Sequence, residues 1–183
     1  FITDATSYDV VEKPEHFYQS AVAFGNFQCM LADYPAETLH ETIPDFHNTP
    51  VRLAAFKKAV EEDVCRRAAG VEKEIRFILD READTHVLTD LQAQGRLPLR
   101  VTHNDTKLNN VMIDNATGQG LCVIDLDTVM PGLSLYDFGD AIRFGANTAA
   151  EDEQELSKVS LDLGLYEQYV KGYLRGCQGS LTK

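Results

Sequence analysis

Residues 103–110 read His-Asn-Asp-Thr-Lys-Leu-Asn-Asn, and residues 121–125 read Leu-Cys-Val-Ile-Asp. The second stretch is an apolar run followed by Asp125. Another apolar run lies at residues 111–113, and the connector between the two runs contains Asp, Asn and two Gly residues. Short apolar runs on either side of such a connector are typical of a β-hairpin. Because the strands of a hairpin lie side by side, we expect Asn110, which precedes the first strand, to lie near Asp125, which ends the second.

The polar residues of the first stretch fit the spacing H-x-D-x-x-x-x-N, the pattern of a kinase catalytic loop. Phosphoryl transfer needs a carboxylate that accepts the proton of the attacking hydroxyl, and oxygen ligands that hold Mg²⁺ against the phosphates. Asp105, Asn110 and Asp125 are side chains of these types. The loop pattern alone is weak, because Asp and Asn are common in turns. The hairpin and the aspartate at the end of its second strand make it more specific, and together they favour a kinase.

A longer stretch, residues 102–143, resembles the aminoglycoside-phosphotransferase-like kinases. The resemblance is carried by residues 103–110, by Val-Ile-Asp-Leu-Asp-Thr-Val-Met-Pro-Gly at 123–132 and by Tyr-Asp-Phe-Gly-Asp at 136–140. Within that superfamily the chain is most similar to the N-acetylhexosamine 1-kinases, a subgroup that residues 41–50 also resemble. The resemblance implies an ATP- and Mg²⁺-dependent phosphotransferase that acts on the anomeric hydroxyl of an N-acetylhexosamine.

The same resemblance implies roles for individual residues. Asp105 corresponds to the catalytic base, and Asn110 and Asp125 correspond to metal ligands. Asp127 is a weaker candidate, either for the metal or for loop structure. Lys107 lies two residues after the base; it is a candidate contact to the transferred phosphate of the nucleotide, and a solvated lysine is the alternative.

Three further polar residues near this loop are expected to be structural. We predict that His103 hydrogen-bonds the loop backbone and carries no proton in the reaction. Asp137 and Asp140 follow the hairpin, and we expect them to brace the catalytic loop or to cap the next helix.

The remaining chain predicts a mostly helical α+β fold with a central β-hairpin. Apolar residues at helical spacing indicate one helix beginning at Pro14, a second with Thr49 as its N-cap and a third from near Val71 to Gly95. A fourth helix is indicated over residues 165–176, and residues 97–101 alternate like a strand. The resemblance implies that this body is the C-terminal lobe of a protein-kinase-like, aminoglycoside-phosphotransferase fold.

A kinase of this fold also needs a phosphate-covering loop and a lysine that pairs with the nucleotide phosphates. Gly118 and Gly120 belong to the hairpin connector, and Lys13, the first lysine, precedes a helix. We therefore expect residues 1–183 to be a partial C-terminal catalytic lobe, with the nucleotide-binding N-terminal lobe absent from the chain. This fragment alone is expected to be inactive, with further substrate residues beyond Lys183.

Composition excludes several other partners. The 183 residues contain 17 Lys and Arg against 29 Asp and Glu, a formal charge of −12, and no basic stripe could neutralise nucleic acid or an anionic membrane. The four cysteines are scattered without a CxxC pair, which indicates reduced thiols in a cytoplasmic protein. We expect a sugar and a nucleotide as partners; no pattern in the sequence indicates an oligomeric state.

Three alternatives to a sugar kinase stay open. The first is a kinase of another small alcohol, such as an aminoglycoside, choline or homoserine. The second is a non-catalytic binding module with a kinase-like fold. The third is a haloacid-dehalogenase-like phosphatase, because residues 123–129 also fit its D-x-D-x-V strand. That fold needs a lysine and metal-binding acids later in the chain, where no adjacent Asp pair occurs, and this makes it the weakest of the three.

Overall fold

The computed structural model describes residues 2–150 and 152–181. The chain divides into two compact units, one formed by residues 1–42 and 99–183 and the other by residues 43–98. Helices account for 53% of the chain, so the expectation of a mostly helical α+β fold is confirmed. No helix within the described ranges combines the length and the apolar character that a membrane crossing needs.

The regular elements follow one another in this order: β1 Ala5–Thr6, α1 Pro14–Met30, α2 Thr49–Glu62, α3 Glu72–Leu79, α4 Glu82–Ala93, β2 Arg100–Thr102, β3 Val111–Asp114, β4 Gly120–Val123, β5 Met130–Gly132, α5 Ser134–Gly145 and α6 Leu163–Cys177. Helices α2, α3 and α4 belong to the smaller unit, and all other elements belong to the larger one.

The predicted hairpin is confirmed. Strands β3 and β4 pair antiparallel, with Val111 opposite Val123 and Met112 opposite Cys122. Strand β1 extends this sheet on the free side of β3. A second sheet joins β2 to β5, so that the predicted strand at residues 97–101 is instead paired at Arg100–Thr102. The paired stretch is limited to these three residues because β5, its neighbour among the described strands, also spans three residues opposite Arg100–Thr102.

The core of the larger unit lies between α1, α6 and the hairpin. Phe17 and Phe24 of α1 pack with Tyr169 and Tyr173 of α6 in one buried cluster, to which Val111 and other hairpin residues belong. The helix predicted to begin at Pro14 does so, with proline in its first turn, where its missing N–H leaves no hydrogen bond unmade. Helix α5 was not predicted as a helix, although Phe138, Ala141 and Ile142 have helical spacing.

Helices α1 and α6 approach closely because glycines lie at their contact. A Cβ atom at Gly172 would collide with the carbonyl oxygen of Tyr18 and lie 2.8 Å from the Cβ of Ala21. A Cβ atom at Gly25 would lie 2.6 Å from the carbonyl oxygen of Tyr173. These obstacles are largely backbone atoms, so a side chain at either glycine would force the helices apart.

We expect Gly172→Ala to lower the free energy of unfolding by about 1–3 kcal/mol, the usual range for overpacking, although alanine is the better helix former. Gly139→Ala is the matched control, because Gly139 lies inside α5 and has open space around its Cβ position. It should raise the free energy of unfolding by about 0.5–1 kcal/mol. Urea denaturation of both variants checks the pair, and equal effects would contradict the packing described.

The smaller unit differs from the prediction in two places. The N-cap of α2 is Asn48, whose side chain accepts the N–H of Val51, while the Thr49 hydroxyl donates to the Thr85 carbonyl. The predicted third helix is two helices, α3 and α4, separated at Asp80 and Arg81. The break occurs where the Arg81 guanidinium donates to the carbonyl of Phe77 (2.9 Å), the group that the Arg81 N–H would bond in a continuous helix.

Candidate active site

The loop at residues 103–110 connects β2 to β3, and its first residue is anchored in the core. The His103 side chain is fully buried beside the rings of Phe24 and Phe27. Its Nε2 lies 3.0 Å from the carbonyl oxygen of Ile124, and its Nδ1 accepts the N–H of Asp105 at 3.3 Å. The tautomer with its proton on Nε2 satisfies both contacts. The predicted hydrogen bonding of His103 to the loop backbone is therefore confirmed, and its lack of a proton-carrying role stays a prediction.

Asn104 turns the chain directly before the candidate base. Its φ of 67° lies in the left-handed region, which asparagine tolerates better than most residues. Its side-chain amide donates to the carbonyls of Thr128 (2.9 Å) and Thr102 (3.2 Å). The hydroxyl of Thr128 in turn donates to the carbonyl of His103 at 2.7 Å. These contacts tie the loop to the segment after β4.

Asp137 braces the loop from α5. Its carboxylate is 1% exposed and accepts the N–H groups of His103 (3.0 Å) and Asn104 (2.8 Å) and the side-chain amide of Gln28 (2.9 Å). Burial raises the pKa of Asp137, and the hydrogen bonds from Asn104, His103 and Gln28 act in the opposite direction. One buried carboxylate thus holds two consecutive backbone groups of the loop in place.

Asp140, one turn further along α5, holds the next part of the loop. Its Oδ2 accepts the N–H of Thr106 at 2.9 Å, and its Oδ1 pairs with Arg143 at 2.9 Å. The predicted bracing role of Asp137 and Asp140 is confirmed by these contacts. Gln28 was missed, although a glutamine beside Phe24 and Phe27 on the apolar face of a helix is a signal of a buried polar contact.

Three candidate residues meet within the braced loop. Asn110 donates from its side-chain nitrogen to the carboxylate of Asp105 at 3.0 Å and to the Asp105 carbonyl at 2.8 Å. Lys107 places its Nζ 3.3 Å from the other carboxylate oxygen of Asp105, and both side chains are 29% exposed. Lys107 is therefore half-buried and ion-paired. Asp105 keeps part of its carboxylate open to solvent, where an acceptor hydroxyl could reach it.

Asp125 follows the hairpin next to Asn110 along the backbone. The N–H of Ile124 donates to the carbonyl of Asn110 at 2.9 Å. Asp125 is the next residue after Ile124, so its backbone lies close to that of Asn110. Its backbone is left-handed, with φ 60° and ψ 68°, and its side chain is exposed. Asp127 is also exposed, and its carbonyl accepts the hydroxyl of Thr42 at 3.3 Å.

The donor set at this end of the hairpin fits Mg²⁺. The Asn110 nitrogen is used within the loop, which leaves its amide oxygen for a ligand, and the Asp125 carboxylate makes no hydrogen bond or ion pair with the described residues. Amide and carboxylate oxygens are ligands that Mg²⁺ prefers. Among residues 2–150 and 152–181, no three His, Cys, Asp or Glu side chains are grouped to hold a metal.

The family model of the phosphotransferase enzyme family, APH, matches residues 3–174 of the chain. The chain belongs to this family. The match includes the braced loop and the whole hairpin, and family membership indicates a phosphotransferase that uses a nucleotide and a small-molecule substrate. In this APH-family protein, the loop at residues 103–110 lies between β2 and β3 and is supported from α5.

In this APH-family chain, replacing Asp125 with asparagine can remove its negative charge without changing its left-handed backbone conformation. Asparagine tolerates the same φ, so we expect Asp125→Asn to change stability by less than about 0.5 kcal/mol. Loss of the negative charge should raise the Mg²⁺ concentration needed for half-maximal phosphotransfer at least about tenfold. The checks are a Mg²⁺ titration of the rate and Mn²⁺ binding followed by electron paramagnetic resonance.

The control for this prediction is Asp127→Asn, the same change two residues away. Asp127→Asn should leave the Mg²⁺ concentration for half-maximal phosphotransfer within about twofold of the wild-type value, since Asp127 is not among the ligands assigned to the metal. An Asp127→Asn effect equal to that of Asp125→Asn would contradict the assignment of Asp125 alone as the carboxylate ligand.

Proposed function

We propose that the intact protein transfers the γ-phosphate of ATP to the anomeric hydroxyl of an N-acetylhexosamine. The observation that carries this proposal is the arrangement of Asp105, held between Asn110 and Lys107 on a loop braced by a buried carboxylate. The resemblance of residues 41–50 and 102–143 to the N-acetylhexosamine 1-kinases supports the choice of acceptor.

In this proposal Asp105 orients the acceptor hydroxyl in line with the γ-phosphorus and takes its proton as the new oxygen–phosphorus bond forms. The bond from the γ-phosphorus to the bridging oxygen breaks, and ADP leaves with that electron pair. Lys107 lies close enough to Asp105 to attract the transferred group as it approaches the acceptor. Asn110 and Asp125 would hold Mg²⁺, which neutralises charge on the phosphates when it is bound.

We also propose that the described elements correspond to the C-terminal lobe of the kinase-like fold. The first glycine in the chain is Gly25, and it lies inside α1. The only strand before it in the described residues is the two-residue β1. The residues before α1 therefore contain no glycine with which to form a glycine-rich loop over the phosphates.

The position of transfer tests the proposed function. A sugar 1-phosphate has lost its free reducing end, whereas a 6-phosphate keeps it. We expect the intact protein, incubated with ATP, Mg²⁺ and N-acetylglucosamine or N-acetylgalactosamine, to consume reducing ends in step with ATP. A phosphorylated product that still reduces would contradict the 1-kinase assignment. Phosphate found only on an aminoglycoside, choline or homoserine would contradict it as well.

A further inference from the structure

The larger unit contains an open cleft whose lining includes none of the candidate site residues Asp105, Lys107, Asn110 and Asp125. The cleft has a volume of about 420 Å³, and it lies between the segment before α1, the end of α5 and the start of α6. Its walls include Asp9, Phe144, Asn147, Ala149 and Asp162. Sites for small molecules commonly have volumes of about 300–1,000 Å³, so this cleft is large enough for one.

Two contacts join this cleft to the catalytic loop. The Nζ of Lys107, which pairs with Asp105, lies 5.9 Å from the centre of the Phe144 ring. On the other side, the Asn109 side-chain nitrogen donates to Asp9 at 3.3 Å. The Asn109 amide oxygen is buried without a hydrogen-bond partner among the described residues. The cleft therefore begins where the loop that carries the candidate base ends.

The polar atoms on the walls suit hydroxyl and amide groups. Asp162 uses one carboxylate oxygen to accept the N–H of Leu165 at 3.0 Å, and Asn147 uses its oxygen for the N–H of Ala149 at 3.1 Å. These two bonds do not use the second carboxylate oxygen of Asp162 or the amide nitrogen of Asn147, so both atoms remain available to a ligand. The ring of Phe144 supplies an apolar face, against which the C–H groups of a sugar ring can pack.

The charge of the cleft excludes one class of ligand. Asp9 and Asp162 both line it, and no Lys, Arg or His is present among its described lining residues. An anionic group next to two carboxylates would be repelled, whereas hydroxyl donors would be accepted. The lining thus disfavours acidic molecules and accepts a molecule with several hydroxyl groups.

Building on the proposed function, we propose that this cleft binds the acceptor and discriminates against acidic sugars. The part of the acceptor remote from the reacting hydroxyl would lie against Phe144, and its other hydroxyl groups would donate hydrogen bonds to the carboxylates of Asp9 and Asp162. The reacting hydroxyl would then extend past Lys107 toward Asp105. Asp9, Phe144 and Asp162 are specificity-determining residues in this proposal.

Filling the cleft tests the proposal. We expect Ala149→Leu in the intact protein to raise the KM for N-acetylglucosamine at least about tenfold and the KM for ATP less than about twofold. The control is Ala116→Leu, the same change in the exposed turn between β3 and β4, which should leave both constants unchanged. Calorimetric titration of each protein with N-acetylglucosamine alone gives a second measurement, in which Ala149→Leu should bind at least about tenfold more weakly.

Charge removal is a second test that spares the packing. In Asp9→Asn and Asp162→Asn the amide oxygen can still accept the bonds from Asn109 and from the Leu165 N–H. With both changes, the preference for N-acetylglucosamine over glucuronic acid, expressed as a ratio of kcat/KM, should fall at least about tenfold. An unchanged ratio would overturn the charge-selective role.

The outcomes separate this proposal from the proposed function. If the wild-type protein phosphorylates an N-acetylhexosamine while Ala149→Leu keeps the wild-type KM and affinity for it, the cleft is not the acceptor site and the kinase assignment stands. If the wild-type protein binds the sugar in calorimetry, loses that binding in Ala149→Leu and transfers no phosphate, the kinase assignment is overturned and the cleft remains a sugar site.

Discussion

Asp105→Asn should lower the turnover of the intact protein by about 10²–10⁴-fold, the usual effect of removing a general base. The amide oxygen of the new asparagine can still accept the hydrogen bond that Asn110 donates, so the loop should keep its conformation. What is lost is the negative charge beside Lys107 and the ability to take a proton. The measurement is kcat for phosphotransfer at saturating ATP, Mg²⁺ and sugar.

Asp33→Asn is the matched control, because Asp33 is an exposed aspartate after α1 and the net charge of the protein changes equally. It should leave kcat within about twofold, as most surface substitutions do. The Mg²⁺ titration adds a second criterion, since Asp105→Asn should leave the half-maximal Mg²⁺ concentration nearly unchanged, unlike Asp125→Asn. Turnover near the wild-type value would show that Asp105 is not the base.

Asp137→Ala should lower the free energy of unfolding by at least about 3 kcal/mol. The substitution removes the acceptor of three N–H bonds: those of the His103 and Asn104 backbone and one from the Gln28 amide, whose nitrogen keeps its bond to the Val101 carbonyl (3.1 Å). Each unpaired buried donor costs about 1–3 kcal/mol. Urea denaturation measures the loss, and kcat should fall as well, because the backbone that precedes Asp105 is no longer held.

Asp140→Ala provides the comparison within the same helix. Asp140 also braces the loop, but it binds one backbone N–H, that of Thr106, and its pair with Arg143 is at the surface. The expected loss is therefore about 1 kcal/mol. If the two substitutions destabilise the protein equally, the buried contacts of Asp137 do not dominate the support of the loop.

Much of the fold could be predicted from periodicity in the sequence. The hairpin of β3 and β4 and the start of α1 at Pro14 follow from local patterns of apolar residues, turn residues and proline. Strands β1 and β5 could not be predicted, because two or three residues are too short to show an alternation. At the break between α3 and α4 the Arg81 guanidinium donates to the Phe77 carbonyl, a contact that no periodicity records.

The candidate site was predicted in part, for a similar reason. The spacing of residues 103–110 indicated which side chains share one loop, and the structure shows Asp105, Lys107 and Asn110 in contact. Their chemical roles stay predictions. Gln28 contacts Asp137, which lies more than a hundred positions later in the chain. Phe144, at the edge of the cleft, lies about forty positions after its neighbour Lys107. Such long-range contacts follow from tertiary packing, so a single sequence does not reveal them.

The close contact between α1 and α6 has a consequence for how the protein is made on the ribosome. These helices are separated by more than 130 residues, so α1 leaves the ribosome long before its partner is synthesised. Until then Phe17 and Phe24, both 1% exposed in the folded protein, lack the α6 side chains that pack with them. Contacts of such long sequence separation form late, and nascent chains with exposed apolar surfaces are prone to aggregate. We therefore expect chaperones to bind the nascent chain between the synthesis of α1 and that of α6.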